Sequence, residues 1–250
     1  MRQLKRITRH LVVIVLAVVL WQFVVQLNFI SSHYLASPLQ IVSSLVSGFK
    51  SGLLLSDMAI TLERVAIGWL IGSLAGYIIG ILVGVIPIFD ELFTPLLELL
   101  RPVSPVALIP VAILFLGIGN SSKFAIIGFG CFWPVLLNTI AGVKSIGQTE
   151  RKLASVLRLR SFERFIRVEL PGSLPSVFVG LRLAAGIAFV VVVAAEFVGS
   201  TNGLGYQILS AEQSFNIPLV YGAIALLAIL GFMANFLFVM MEKFIIRWKV

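Results

Sequence analysis

Six apolar segments, separated by shorter polar connections, set the pattern of this chain. A helix of about 20 residues crosses a hydrocarbon core of about 30 Å, and most of the six segments approach or exceed that length. The pattern predicts one transmembrane domain over residues 1–250, an all-α polytopic membrane protein with about six transmembrane helices. The segments are residues 11–30, 65–88, 103–118, 124–142, 177–198 and 219–241.

Two of these stretches carry additional local signals. The third segment is the shortest and contains Pro105 and Pro110. We therefore expect it to be kinked, or to pack inside the protein, where neighbours can satisfy the freed backbone groups. The connection 31–63 contains apolar residues at helical spacing after Pro38, which predicts a short surface helix. These residues are Leu39, Val42, Leu45, Val46 and Phe49.

The second segment has a glycine at every fourth position. Four residues are close to one helical turn, so the glycines form a groove along one side of the helix. Small residues at this spacing allow the backbones of two helices to approach closely in lipid. The groove is predicted to pack a helix of the same subunit or, alternatively, a helix of a second copy. The glycines are Gly68, Gly72, Gly76, Gly80 and Gly84.

Composition and charge fit a membrane protein. Apolar residues make up 59% of the chain and charged residues 12%, against about 45–50% and about 25% in soluble domains. The net charge of +8 does not indicate nucleic-acid binding, because the basic residues lie in loops between membrane-length segments. The single cysteine, Cys131, lies in an apolar segment and predicts neither a disulfide framework nor a metal site.

The distribution of Lys and Arg predicts the orientation. With six spans, one side of the membrane receives fifteen of the 19 basic residues and the other side three. The positive-inside rule then places both termini in the cytoplasm. The first segment is too long for a signal peptide and is interpreted as an uncleaved anchor.

The polar connection between Gly142 and Ser176 concentrates charge on the predicted cytoplasmic side. It contains seven basic and three acidic residues, whereas the flanking segments are almost entirely apolar. A membrane protein with its charge arranged in this way is expected to present a docking surface there. Residues 143–176 are therefore predicted to form a loop that binds a partner.

The fifth segment contains two ionisable residues, Arg182 and Glu196, and such residues in a membrane span are functional candidates. They are about 40° apart around a helix and share a face with Gly186, Phe189 and Val193, which makes that face a candidate translocation path. Arg182 could instead extend to the inner headgroups. Glu196 could line an outer gate or vestibule, or be exposed to solvent.

The sequence contains no recognised catalytic or nucleotide-binding motif. It has no G-x-x-x-x-G-K-[ST] phosphate cradle, nucleophile elbow or H-E-x-x-H zinc motif. We therefore expect no enzyme activity and no cofactor in this chain. A transporter or channel subunit remains, driven either by an ion gradient or by a partner protein.

Several stretches together resemble the inner-membrane permease subunits of binding-protein-dependent ABC importers, in the branch for aliphatic sulfonates, taurine and nitrate. They are LASPLQIV, TLERVAIGWLIGSLAGYIIGILVG, RPVSPVALIPVAILFLGIGNSSKFAIIGFGCFWPVLLNTIAGV, LPGSLPSVFVGLRLAAGIAF and AAEFVGSTNGLGY. The resemblance covers residues 38–248.

The resemblance implies a type I importer permease-like fold in a bacterial plasma (inner) membrane. It implies three partners besides lipid: an ATP-binding ABC subunit that holds ATP and magnesium, a periplasmic or lipid-anchored solute-binding protein, and a second permease copy in a homodimer. A small solute such as a sulfonate, taurine, nitrate or bicarbonate would cross by alternating access. The alternative is a gradient-driven secondary transporter or channel, which would favour repeated halves and midplane ion sites.

The resemblance also gives the polar connection a role, as the EAA-type loop that docks in a groove of the ATPase. The family pattern is Glu-Ala-Ala, three residues, Gly, nine residues and Ile-x-Leu-Pro. This chain departs from it with Lys152 in place of the glutamate and Arg158 in place of the glycine. The departure indicates an ATPase with a more acidic groove, a diverged partner or a subunit that couples weakly. The family pattern and the apolar spacing of the loop together give the residues expected to contact the ATPase. They are Lys152, Leu153, Ala154, Leu157, Arg158, Phe162, Val168, Leu170 and Pro171.

Overall fold

The computed structural model describes residues 2–27, 34–146, 157 and 160–246. All regular elements in these residues are helical, which confirms the predicted all-α class. The α-helices are α1 (Arg2–Gln26), α2 (Pro38–Lys50), α3 (Leu53–Val85), α4 (Pro87–Leu100), α5 (Ile109–Leu116), α6 (Asn120–Lys144), α7 (Ser161–Arg164), α8 (Leu170–Phe197), α9 (Leu204–Gln213) and α10 (Ile217–Ile245). A 3₁₀ turn (Val106–Leu108) precedes α5, and a π-helical turn (Phe165–Glu169) joins α7 to α8.

Four helical stretches are long and apolar enough to cross a membrane. They are Leu53–Val85, Asn120–Lys144, Phe165–Phe197 and Ile217–Ile245. Shorter apolar helices, Val15–Gln26 and Val106–Leu116, lie in the other two predicted segments. All six predicted segments therefore contain helix, and four of those helices reach membrane-spanning length.

The described residues form two compact units. The larger unit comprises Thr61–Ser200 and Ile229–Val250. In it, the glycine face of α3 packs directly on α6: a Cβ built at Gly72 would lie 2.1 Å from the carbonyl oxygen of Gly128, and one at Gly76 would lie 2.5 Å from that of Phe132. A Cβ at Gly68, Gly80 or Gly84 would also be too close to α6, at 2.6, 2.7 and 2.9 Å from side chains of that helix. A helix of the same chain therefore fills the glycine groove.

Helix α6 also packs closely against α8. A Cβ at Gly142 would lie 2.8 Å from the side chain of Ser176, and one at Gly180 would lie 2.9 Å from the carbonyl oxygen of Pro134. The apolar core between these helices includes the fully buried Ile127, Cys131, Val135, Ala184, Ala188 and Val192. Helix α6 is thus the central element of the larger unit, with α3 on one side and α8 on another.

The smaller unit comprises Met1–Ile60 and Thr201–Ala228. Helix α2 begins with a capping box, in which Ser37 and Gln40 satisfy each other's backbone N–H groups. The predicted short helix after Pro38 is therefore present, as Pro38–Lys50. Trp21 of α1 makes an edge-to-face contact with Tyr221 of α10, and the Tyr221 hydroxyl donates a hydrogen bond to the carbonyl of Tyr34.

The start of α3 differs from the predicted span. The apolar segment begins at residue 65, whereas the helix begins at Leu53. Polar residues obscured this extension, although Asp57 is buried and accepts hydrogen bonds of 2.6 Å from the backbone N–H of Gly203 and from Gln207 Nε2. A buried polar residue can lie in a helix when its hydrogen bonds are satisfied inside the protein. The hydropathy of the sequence does not reveal such a helix.

In the third predicted segment, a 3₁₀ turn leads directly into α5, so the helical part extends from Val106 to Leu116. Pro105 precedes the 3₁₀ turn and Pro110 lies in the first turn of α5, where its missing N–H removes no helical hydrogen bond. Two helices in predicted connections were not anticipated. Helix α4 starts at Pro87, and α9 follows Gly203, whose φ of 106° favours glycine.

Candidate functional site

A buried ion pair lies at one end of the larger unit, between Arg64 of α3 and Glu196 of α8. Arg64 Nη1 is 2.8 Å from Glu196 Oε1, and the two residues are 3% and 0% exposed. Thr61, one turn before Arg64, donates a hydrogen bond of 3.0 Å to the same carboxylate oxygen. Burying two charges is favourable only when each is paired and hydrogen-bonded, and this cluster meets that condition.

Two further contacts connect the cluster to the start of α6 and the end of α8. Arg64 Nε donates a hydrogen bond of 3.0 Å to Asn120 Oδ1, and Nη1 lies 3.3 Å from Ser200 Oγ. Nearby, the buried Lys123 donates to the carbonyl of Gly119 at 3.1 Å. Three helices of the larger unit are therefore joined at this end by charged hydrogen bonds.

This arrangement excludes solvent exposure for Glu196, one of the alternatives for that residue. Its partner, Arg64, is one of the three basic residues on the outer side of the predicted topology, and the sequence alone does not pair it with Glu196. The signal was available: ionisable residues within spans usually pair with one another, and Arg64 is the basic residue nearest the start of the second segment. The two positions are 132 residues apart in sequence, so no local pattern connects them.

Arg182 forms an ion pair with Glu242 of α10, so its guanidinium is not simply extended to the lipid headgroups. Both side chains are about one-third exposed. The preceding residue is also held, because Trp69 Nε1 of α3 donates a hydrogen bond of 3.1 Å to the carbonyl of Leu181. Arg182 thus lies where α3, α8 and α10 of the larger unit meet.

The remaining residues of the predicted path have different environments. Phe189 and Val193 pack partly buried against the core, and the Phe189 ring faces Gly231 of α10. Gly186 is exposed, and a Cβ there would meet no atom within 4 Å. Gly186 therefore lies at an open surface of α8, whereas Phe189 and Val193 lie against packed neighbours.

The predicted docking loop is described only in part. Leu157 is 60% exposed, and Ile166 in the π-helical turn is 44% exposed. Arg160 and Arg167 are also exposed, and the Arg160 N–H donates to Glu163 Oε2 at 3.1 Å, which stabilises the start of α7. We call residues 157 and 160–169 the docking segment; it presents apolar tips among basic side chains.

The other predicted loop residues divide into three groups. Val168, Leu170 and Pro171 are partly buried where the π-helical turn enters α8. The backbone of Phe162 lies in α7. Four residues lie outside the described part of the chain, namely Lys152, Leu153, Ala154 and Arg158.

Two ion pairs line a cavity of about 300 Å³ beside this segment. Lys144, the last residue of α6, is 2.6 Å from Asp90 of α4, and Arg164 Nε is 3.1 Å from Glu169 Oε1. The hydrogen bonds from Lys144 and then from Thr94 lower the pKa of Asp90 from its ordinary value. Asp90 is therefore ionised at neutral pH, and its pair with Lys144 connects α4 to α6.

Comparisons with known proteins agree with this architecture. Residues 72–248 match the family described as binding-protein-dependent transport system inner membrane component. SsuC of Escherichia coli (strain K12), named for aliphatic sulfonates transport, is 34% identical over 232 residues, which cover 93% of this chain and 88% of SsuC. TauC of the same organism, named a taurine transport system permease protein, is 30% identical over 234 residues, which cover 92% of this chain and 85% of TauC.

A solved structure shares the fold. The inward facing MetNI methionine ABC transporter contains a chain with a TM-score of 0.65 and 16% identity, and the match covers 74% of this chain and 92% of that chain. The family match and the two relatives each extend over most of the sequence. The chain therefore belongs to the binding-protein-dependent transport system inner membrane components, as a multi-pass permease subunit of an ABC importer.

Proposed function

We propose that this permease is driven by a separate ATP-binding subunit that docks on the docking segment. The observation that carries the proposal is the exposed surface of that segment, where Leu157 and Ile166 lie among Arg160, Arg164 and Arg167. Exposed apolar residues flanked by basic residues suit insertion into a groove of a partner. The sequence has no phosphate cradle, so ATP and magnesium belong on the partner.

The proposal includes an orientation of the chain in the membrane, with the docking segment on the cytoplasmic side. Fifteen of the 19 basic residues fall on its side of the predicted topology, which supports a cytoplasmic location for the docking segment and for both termini. The opposite side then faces the solute-binding protein. The departure from Glu-Ala-Ala and Gly to Lys152 and Arg158 makes the loop more basic, and the proposed ATPase groove correspondingly acidic.

The proposed assembly contains two copies of this chain in a lipid bilayer. Helix α10 is available for contact with lipid or with a second subunit, because only 11% of its most apolar 18-residue stretch is buried within the chain. Substrate would pass between the two copies by alternating access. Arg182, Gly186, Phe189, Val193 and Glu196 stay candidates for the path, with Glu196 acting through its pair with Arg64.

The proposed substrate is an aliphatic sulfonate, taurine included. The support is the naming of the two relatives described above, which align with nearly the whole chain. A sulfonate carries one strongly delocalised negative charge, so nitrate and bicarbonate are the informative competitors. A solute-binding protein would supply the first selection among these anions.

Leu157→Asp tests the docking segment directly. The variant places a carboxylate on the exposed apolar tip, so we expect uptake of taurine per ATP hydrolysed to fall roughly tenfold, the size of a moderate coupling energy. Uptake and hydrolysis are measured in proteoliposomes that contain the permease, its ATPase and its binding protein. Leu157→Met preserves the apolar surface and is expected to behave as wild type. Normal coupling in Leu157→Asp would remove Leu157 from the contact.

A further inference from the structure

The cavity beside the docking segment contains four charged groups in two ion pairs. Asp90 and Lys144 form one pair and Arg164 and Glu169 the other, and all four line the same space of about 300 Å³. One pair connects α4 to α6. The other lies inside the docking segment, so a single cavity joins the proposed ATPase contact to a helix that precedes α5.

The second pair is unequal in its exposure. The Glu169 side chain is 6% exposed, whereas that of Arg164 is 45% exposed. Glu169 Oε2 is buried and finds no hydrogen-bond partner among the described residues. The carboxylate therefore depends on Arg164 for compensation, while Arg164 itself is accessible to a docked protein.

We propose that Lys144 replaces Arg164 as the partner of Glu169 when the ATPase docks, and so relays docking to α4. This inference rests on the proposed function of the docking segment. An acidic groove that draws Arg164 away would leave the buried Glu169 carboxylate without a counter-ion, which is strongly unfavourable. Among the described residues that line the cavity, Lys144 is the other cation. Its movement towards Glu169 would break its ion pair with Asp90 and release α4.

The helix backbones around the cavity are tightly packed, so the charged side chains that line it are the part that can rearrange. Gly84 of α3 contacts Val143 of α6, and Gly142 of α6 contacts Ser173 of α8, each at distances too short for an added Cβ. These contacts fix the ends of three helices around the cavity. By contrast, Lys144 is 47% exposed and its long side chain has room to change partner.

The backbone next to Glu169 supports movement of the docking segment. Residues Phe165–Glu169 form a π-helical turn between α7 and α8. Such turns are rare and occur frequently at functional sites, since their hydrogen-bond pattern differs from that of the helices on either side. A shift of α7 on docking can therefore be absorbed at this turn, which carries both members of the Arg164–Glu169 pair at or beside its ends.

A charge-swapped variant distinguishes a change of ion-pair partner from an ion pair that only holds α4 to α6. Asp90→Lys combined with Lys144→Asp restores an ion pair between α4 and α6, but an aspartate at position 144 cannot compensate Glu169. We expect the swapped complex to assemble and hydrolyse ATP, while taurine uptake per ATP falls roughly tenfold. Coupling is measured in proteoliposomes of the full complex with wild type alongside. Normal coupling in the swapped variant would overturn the relay.

Glu169→Gln provides a second test that does not depend on the swapped pair. The neutral amide needs no counter-ion when Arg164 leaves, so we expect a comparable loss of coupling in an assembled complex. If neither variant assembled, the pairs would be structural and the relay would also be overturned. A wild-type chain that binds no ATPase would instead refute the proposed function, so the two failures are distinguishable.

Discussion

At the scale of single residues, the buried pair of Arg64 and Glu196 is the feature with the largest energetic consequence. Each charge depends on the other, and both residues lie in the larger unit with almost no exposure. Removing one member of such a pair leaves an uncompensated charge, whereas replacing both by apolar residues is often neutral. A structural contribution of Glu196 is therefore expected in addition to any role in the path.

Glu196→Ala is predicted to destabilise the protein by about 3–5 kcal/mol, because Arg64 remains buried without its carboxylate. The apparent melting temperature in detergent measures the effect. Replacing both residues by methionine should recover much of the loss. Glu91→Ala, at an exposed glutamate of α4, is the matched control and should unfold like wild type. An unchanged melting temperature in Glu196→Ala would show that the pair contributes little.

At the scale of elements, the close packing of α3 on α6 organises the larger unit. The periodicity of the glycines predicted a groove, and the structure shows which helix fills it. Helix α4 could not be predicted in the same way, because Asp90, Glu91 and Glu98 lower its hydropathy. Local sequence patterns could not predict the Arg64–Glu196 pair either, because its two residues come from helices that are distant in sequence.

Gly72→Ala is expected to force α3 and α6 apart, because the new Cβ would lie 2.1 Å from a backbone carbonyl that cannot move independently. Overpacking of this kind costs about 1–3 kcal/mol. Gly186→Ala is the matched control, since nothing lies within 4 Å of its Cβ position. Thermal unfolding in detergent compares the two variants. Equal melting temperatures would mean that the close approach has no energetic importance.

At the scale of the whole molecule, the proposed assembly requires a fixed orientation in the membrane. The distribution of basic residues and the family resemblance were both readable from the sequence, and the family is confirmed. The identity of the proposed solute could not be predicted, because the apolar residues that dominate the predicted spans carry no chemistry that would select one solute. Topology and substrate therefore need separate measurements.

Single cysteines at two exposed positions test the orientation. Leu157→Cys should react with an impermeant maleimide only from the cytoplasmic face, because the docking segment is proposed to lie there. Phe215→Cys, at an 85% exposed position between α9 and α10, should react only from the outer face. The buried native Cys131 should remain unlabelled in intact membranes. Labelling of both positions from one face would refute the topology.

We propose that ATP hydrolysis on a separate subunit drives a sulfonate-bearing solute through this permease. The most direct test of this proposal is taurine accumulation in sealed proteoliposomes that contain the permease, its ATPase and its binding protein. We predict accumulation that requires ATP and continues after ionophores have collapsed every ion gradient. Accumulation that proceeds without ATP and stops when the ion gradients collapse would contradict the account.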